Sequence, residues 1–222
     1  MGKIFVLLSL ILLISSCNYD SSINIDDNYD DIERLAKISN DESNSIPIRR
    51  KSADSMLILL KYKRQSFKKR QSLLKVAHRY FNIKDYESDT ILTKKVISES
   101  ILFSDSISLG RAYLDLGLSY DKLDISDRAL FNYLQSDEIY INLKDKEKLA
   151  EISHLIGILK FRSHDLISSE NKLIKALELF RELKDYKKIA EVYQILGMIS
   201  YELEDFDRAI SLGNKSILIL KE

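Results

Sequence analysis

The chain has 222 residues with 34 Lys and Arg against 34 Asp and Glu, so its formal net charge is zero, which argues against a strongly basic nucleic-acid-binding protein. Only six Gly and one Pro are present, too few for the turns of a β-sandwich or a barrel, so the composition favours helices. A single Cys excludes a disulfide framework and a thiolate zinc cluster.

The N-terminus begins with Lys3 followed by an apolar run over residues 4–14. This run has the length of a secretory signal but is too short to span a bilayer as a helix. It ends in Ile14-Ser15-Ser16-Cys17, which resembles the lipobox of bacterial lipoproteins. The resemblance implies that residues 1–16 are a signal peptide and that Cys17 carries a lipid, which anchors the protein in the bacterial cell envelope. A plain secretory signal with an incidental Cys is the alternative.

The following segment changes sign along its length. Between Cys17 and Ile46 there are eight acidic and two basic residues, which predicts a flexible acidic tether over residues 17–46, with a short helix near residues 29–38. Residues 49–79 then hold eleven Lys or Arg and one acid, Asp54. These cations indicate either a surface for anionic lipid or nucleic acid, or a solvated helix face partly neutralised by the tether, and we favour the latter.

The rest of the chain is repetitive. Its period is the 40-residue spacing that separates Gly117 from Gly157 and Gly157 from Gly197. These three glycines share one position of the repeat, and in the repeat before them Ala77 occupies that position. Small residues recur twelve positions later, as Ala129, Ser169 and Ala209, with Asp89 in the first unit. The repeats are predicted at 69–108, 109–148, 149–188 and 189–222, and residues 47–68 are predicted to form an N-terminal packing helix.

Each repeat is predicted to contain two helices. In the second repeat, an apolar stripe with helical spacing is formed by Leu109, Ala112, Tyr113, Leu116, Gly117 and Tyr120. An Asp precedes most helices, where its carboxylate can accept a hydrogen bond from a free backbone N–H: Asp85, Asp105, Asp145, Asp165, Asp185 and Asp205. Because Gly is unfavourable within a helix, its recurrence predicts that a neighbouring helix approaches too closely there for a side chain.

Leu116-Gly117-x-x-Tyr120 followed by Asp127-Arg128-Ala129 resembles the tetratricopeptide repeat, as does Leu196-Gly197 followed by Asp205-Phe206-Asp207-Arg208-Ala209. The resemblance covers about residues 69–222 and implies an all-α fold, a right-handed superhelical solenoid whose concave surface is lined by the first helix of each repeat. A period of 40 rather than 34 implies longer helices, and Lys160 departs from the aromatic residue expected in the third repeat.

The resemblance also implies a peptide-binding groove along these first helices. Mixed charge with aromatic side chains suits an extended peptide, and a merely solvated surface is the alternative. The groove positions are Gln71, His78, Asn82, Arg111, Asp121, Lys122, Glu151, His154, Phe161, Arg162, Glu191, Gln194, Met198 and Tyr201.

Motifs for catalysis are missing from the sequence. It contains no Gly-rich phosphate loop, no G-x-S-x-G and no H-E-x-x-H, and His78, His154 and His164 lack the spacing of metal ligands. We therefore expect no enzyme activity, no metal and no cofactor. The expected function is a lipid-anchored scaffold that binds a protein or peptide. The alternatives are the sensory N-terminal half of a longer signalling or transcription-regulatory protein, and a subunit that accompanies an envelope enzyme.

The last predicted helix, from about residue 206, is more apolar than the end of a repeat array requires. Its apolar residues are Ile210, Leu212, Ile217, Leu218, Ile219 and Leu220. Since four of them are consecutive, they cannot all face the preceding helix. This predicts that further repeats, a partner or a second copy covers the C-terminal helix. The alternative is a frayed last turn with two or three exposed aliphatic side chains.

Overall fold

The computed structural model describes residues 29–220, so the predicted signal peptide, Cys17 and the beginning of the tether lie outside the described residues. The described chain forms ten α-helices without any strand, which confirms the predicted all-α class. In chain order they are α1 (Asp30–Asn40), α2 (Ile46–Lys61), α3 (Phe67–Asn82), α4 (Tyr86–Leu102), α5 (Ser106–Lys122), α6 (Ser126–Leu143), α7 (Lys146–Arg162), α8 (Leu166–Leu183), α9 (Tyr186–Glu202) and α10 (Phe206–Ile219).

The helices from α3 onwards form four antiparallel pairs that stack in sequence order as a solenoid. The second helices of the pairs begin at Tyr86, Ser126, Leu166 and Phe206, so they follow one another at the interval that separates the recurrent glycines. The first helices begin two or three residues before the predicted repeat boundaries. Within residues 29–220, no helix is both long and apolar enough to cross a membrane.

The turns between helices follow one backbone pattern. A residue in the left-handed region occurs at the same place in each successive turn, at Lys84, Ser104, Asp124, Lys144, His164, Lys184 and Glu204. The residue after it is the helix N-cap, and six of the seven N-caps are Asp side chains that accept a hydrogen bond from the N–H three residues later. The exception is Ile125, before α6, which has no side-chain cap. The predicted Asp caps are thus confirmed.

The recurrent glycines meet different neighbours. A Cβ atom on Gly117 would lie 2.5 Å from Cδ1 of Tyr133, and one on Gly157 would lie 2.7 Å from Cγ of Leu173, so a bulky side chain of the paired helix occupies the space. At Gly197 the nearest atom is a backbone oxygen at 3.5 Å, an ordinary contact. The prediction of a close approach is therefore wrong for Gly197, because the position equivalent to Tyr133 and Leu173 is Gly213.

The short helix predicted near residues 29–38 is present as α1, and it packs against α2 instead of belonging to a flexible tether. Tyr29 and Ile32 are buried in the same apolar cluster as Met56 and Leu60 of α2. The helix ends near a basic residue of α2, since Arg49 Nε donates to the carbonyl oxygen of Ser39 over 3.2 Å. The segment is polar on average, so its composition did not indicate packing. A short apolar stripe on one face of the helix is nevertheless enough for that face to pack.

The basic residues of the 49–79 segment are spread over several contacts. Arg70 Nε donates to Asp105 Oδ2 over 2.6 Å, and both side chains are buried. Burial alone would raise the pKa of Asp105, but hydrogen bonds from Ser108 and Arg70 hold it below its usual value. Arg50 pairs with Asp85 at 2.7 Å. These two cations therefore hold α2 and α3 against the turns before α4 and α5.

Candidate protein-binding surfaces

The predicted groove residues gather at two places on the solenoid. Gln71, His78 and Arg111, from α3 and α5, line one cavity. Phe161, Gln194, Met198 and Tyr201, from α7 and α9, line another. The first cavity, which Lys75 and Arg79 also line, is called the basic pocket. The second cavity, which Gly197 and Gly213 also line, is called the C-terminal trough.

The basic pocket is a cavity of about 150 Å³ lined by Gln71, Leu74, Lys75, His78, Arg79 and Arg111. The side chains reach it because successive turns of α3 place residues 71, 75, 78 and 79 on neighbouring positions of one face. Gln71 Nε2 donates to Ser108 Oγ of α5 over 2.8 Å, which fixes one wall. Lys75 is exposed and makes no ion pair with any residue of the described chain.

The electrostatics of the basic pocket favour an anion. Arg79 Nη1 donates to Asn40 Oδ1 over 2.8 Å, whereas its Nε is buried and has no hydrogen-bond partner among the described residues. Burial lowers the pKa of His78, and the neighbouring Arg111 and Arg79 lower it further. An incoming carboxylate would therefore meet the ammonium group of Lys75 and the guanidinium group of Arg79, whereas Arg111 is already paired with Asp115.

Two buried carboxyl groups lie behind this pocket. Arg111 Nε donates to both oxygens of Asp115, over 2.8 and 3.0 Å, and burial nevertheless raises the pKa of Asp115 to about 6. Asp89 of α4 is 1% exposed, and burial raises its pKa to about 7 in spite of hydrogen bonds from Ser119 and Thr93. The sequence contained one indication that the Asp89 carboxyl group is buried: Asp89 occupies the position that the other repeats fill with Ala or Ser.

The C-terminal trough is a more open cavity of about 470 Å³ between α9 and α10. Its floor contains Gly197 and Gly213, and a Cβ atom on Gly213 would meet no atom within 4 Å. In the two preceding repeats the equivalent space is filled by Tyr133 or Leu173. The trough is therefore the vacant position of one large apolar side chain.

Other predicted groove residues lie outside both cavities. Asp121 and Arg162 form an ion pair between the second and third repeats. Glu151 and Glu191 pair with a lysine of their own helix. His154 differs from the prediction, because it is buried and packs edge-on against a Phe ring and so does not line an exposed groove. Burial lowers the pKa of His154 to about 4. Asn82 and Lys122 are exposed near the ends of α3 and α5.

A third concavity was not predicted. An apolar groove of about 550 Å³ lies between α2, α3 and α4, with Ile58 and Ile91 exposed along it. Its charged lining consists of three lysines and one carboxylate: Lys61, Lys69, Lys95 and Asp54. Such a groove suits apolar side chains flanked by carboxylates, and its only sequence signal was the basic character of residues 49–79.

Within the described part of the chain, no three His, Cys, Asp or Glu side chains come close enough together to hold a metal ion. The histidines have separate surroundings: His78 stacks on Phe81, His154 is buried against Phe180, and the His164 ring lies 3.5 Å from Glu202 in a turn.

Solved structures of other proteins resemble this fold, although no match was found by sequence. No protein family model matches the chain, and no curated protein matches it. Among solved structures, BtubC from P. vanneervenii superposes with a TM-score of 0.76 at 14% identity, covering 86% of this chain and 78% of that one. The nearly identical TPR-like repeats assigned to a kinesin light chain of Podosopora anserina give 0.69 at 12% identity, covering 86% and 93%.

The chain has a tetratricopeptide-like repeat fold. RapI in its apo form is also similar, with a TM-score of 0.71 at 16% identity over 78% of this chain, which spans only 48% of RapI. At these identities the likeness establishes the architecture, a helical-repeat solenoid. This confirms the fold implied by the Leu-Gly-x-x-Tyr pattern.

Proposed function

We propose that this protein is a non-catalytic scaffold that binds an acidic segment of a protein or peptide partner on its repeat solenoid. The observation that carries the proposal is the basic pocket, where Lys75, Arg79 and Arg111 converge beside His78. Charged groups in such clusters commonly recognise acidic peptide motifs. The apolar groove between α2 and α4 offers a second place for the apolar side chains of such a segment.

Charge reversal at Lys75 tests the pocket. A fluorescein-labelled peptide of alternating Glu and Leu is expected to bind the wild type, and Lys75→Glu should weaken that binding by at least about tenfold, because a repulsive carboxylate then faces the ligand. Fluorescence anisotropy measures the dissociation constants. Lys75 is exposed, so the substitution leaves the core untouched.

The matched control is Lys187→Glu, an equally exposed lysine of α9 that lines neither the basic pocket nor the apolar groove. It should change the dissociation constant by less than about twofold. Equal weakening by both substitutions would mean that only net charge matters, and a wild type that fails to bind acidic peptides would contradict the proposal.

We further propose that the scaffold is a lipoprotein of the bacterial cell envelope, anchored through Cys17. The support is the Ile14-Ser15-Ser16-Cys17 ending of an apolar signal-like run, since the chain carries its one Cys at this position. Position 17 is only twelve residues before Tyr29, where the described part of the chain begins. The alternative, the sensory N-terminal half of a longer signalling or regulatory protein, would use the same peptide-binding surface.

Metabolic labelling with an alkyne fatty acid tests the anchor. The wild type should incorporate the label and lose residues 1–16, whereas Cys17→Ser should incorporate none, because the acceptor thiol is missing. In-gel fluorescence measures the label, and mass spectrometry of the protein measures the cleavage. The same intensity in both forms would end the lipoprotein proposal without affecting the peptide-binding one.

A further inference from the structure

The turns of the solenoid lie at two opposite edges, and the two edges differ in charge. Because successive helices run antiparallel, every second turn lies at the same edge. Ten Lys or Arg and four acids occur in the turns of one edge, which we call the basic edge: residues 61–68, 102–107, 143–148 and 183–188. Three Lys or Arg and eleven acids occur in the turns of the opposite edge, which we call the acidic edge: residues 40–46, 82–87, 122–127, 162–167 and 202–207.

The basic edge also exposes large apolar side chains among its cations. Five of them lie in its first two turns and are 46–75% exposed: Tyr62, Phe67, Leu102, Phe103 and Ile107. Its other two turns add Leu143, Leu183 and Tyr186. Apolar side chains such as Leu123 and Phe206 are exposed at the acidic edge too, but carboxylates flank them there. The combination of exposed apolar groups with Lys and Arg is therefore a property of the basic edge.

The first two turns of the basic edge contact each other, so their exposed side chains form one surface. The guanidinium carbon of Arg70 lies 5.1 Å from the centre of the Phe103 ring. Gln65 Nε2 donates to Glu99 Oε1, near the end of α4, over 3.4 Å. These contacts join the turn before α3 to the turn before α5, and they bring side chains from two different repeats together.

Most carboxylates of the basic edge are engaged within the protein. Asp105, Asp145 and Asp185 are helix N-caps, and each accepts a hydrogen bond from a backbone N–H group. Arg64 and Lys68, by contrast, are exposed side chains of the first turn. The charge that this edge presents to its surroundings is therefore positive, and an anionic surface is attracted to it.

We infer that the basic edge docks on an anionic lipid bilayer. Its Lys and Arg side chains contact the lipid phosphates, while Tyr62, Phe67 and Phe103 lie at the level of the head groups, where aromatic rings are favoured. Each cation near an anionic membrane adds to the attraction. Because the helices run from one edge to the other and the acidic edge is repelled, the helices stand roughly perpendicular to the membrane surface. This docking goes beyond peptide binding in the basic pocket and requires no lipid on Cys17.

A bilayer fits this surface better than an acidic protein does. The exposed side chains lie in a row of successive turns, which suits a broad and fluid surface, whereas a ligand such as a peptide is held in a concave site like the basic pocket. From the sequence alone, the cations of residues 49–79 favoured a solvated helix face. The structure adds Leu102, Phe103 and Ile107 from the next turn of the same edge, and such an apolar cluster gains nothing from exposure to water.

A single tryptophan tests the docking directly, because the chain contains none. Phe67→Trp places it at the basic edge, and Phe206→Trp is the matched control at the acidic edge, since both positions begin a helix and are about half exposed. The full chain is reconstituted into phosphatidylglycerol vesicles with brominated acyl chains. The fluorescence of Phe67→Trp should fall by at least about half and shift to the blue, because the ring enters the interface, whereas that of Phe206→Trp should fall by less than about a tenth.

Charge reversal beside the reporter tests the need for anionic lipid. Arg64→Glu with Lys68→Glu should abolish the quenching of Phe67→Trp, whereas Lys84→Glu with Lys122→Glu, at exposed positions of the acidic edge, should leave it unchanged. Phosphatidylcholine vesicles should quench Phe67→Trp at least about threefold less than phosphatidylglycerol vesicles do. Circular dichroism checks that each variant is folded.

Three results would overturn the proposal: equal quenching at both edges, equal quenching in both lipids, and no quenching at all. The last of these would mean that water or a protein covers the basic edge. Fatty-acid labelling of Cys17 and the peptide-binding assay do not depend on these outcomes, so the proposed function and this inference can fail separately.

Discussion

Alanine at Gly117 is expected to destabilise the protein by about 1–3 kcal/mol, whereas alanine at the equivalent Gly197 is expected to stabilise it by up to about 1 kcal/mol. The new methyl group at position 117 would lie 2.5 Å from Cδ1 of the buried Tyr133 ring, so the ring or the helix must shift. At position 197 every neighbour is at least 3.5 Å away, so only the gain in helix propensity remains. Urea unfolding followed by circular dichroism measures both free energies.

The third glycine of the series extends this comparison. Gly157→Leu adds a side chain against Leu173, and it should destabilise by about 1–3 kcal/mol. The exposed substitution Lys187→Ala is the control and should stay within about 0.5 kcal/mol. If all three glycine variants shift the unfolding free energy in the same direction, the contacts assigned to this position are wrong.

Asp89→Asn is expected to stabilise the protein more at pH 8 than at pH 4.5. The folded-state pKa of Asp89 is raised to about 7 by burial, so the folded chain binds a proton that the unfolded chain releases near pH 4. Stability therefore falls as the pH rises between about 4 and 7, by up to about 4 kcal/mol from this group. Asparagine is neutral throughout and keeps an oxygen acceptor for Ser119 or Thr93.

The measurement is the free energy of unfolding of both forms at several pH values between 4.5 and 8. The difference between Asp89→Asn and the wild type should grow steadily over this range. Asp127→Asn, at an exposed position of α6, is the matched control and should give a difference that varies little with pH. A constant difference for Asp89→Asn would mean that this carboxyl group is ionised in the folded protein well below neutral pH.

The sequence was sufficient for the repeat architecture because the period acts on many positions at once. The Asp caps follow from spacing because they depend on local helix geometry. The Gly117 and Gly157 positions follow from recurrence because each one contacts the paired helix of its own repeat. A short helix was predicted near residues 29–38, but its packing was not, because its apolar stripe is short and surrounded by acids. Its burial depends on Met56 and Leu60, which belong to the following helix and are distant from it along the chain.

The candidate surfaces were less predictable because they depend on contacts between repeats. His154 occupies a groove position by its register, yet its ring packs against Phe180 of the following helix. Lys75 and Arg79 were omitted from the predicted groove, although they share the basic pocket with His78. Gly213 was visible in the sequence as a departure from Tyr133 and Leu173. Its consequence, an open trough, required knowing that this position faces Gly197 across the helix pair.

Within residues 29–220, the apolar core is divided into three clusters that follow one another along the chain. Each cluster is built by neighbouring helices, so the pairings that hold the protein together are short in sequence separation. Chains of this kind lose little loop entropy as they form and can begin folding at any repeat. A solenoid built this way can loosen one terminal helix pair, such as α9 and α10, while the helices around the basic pocket remain assembled.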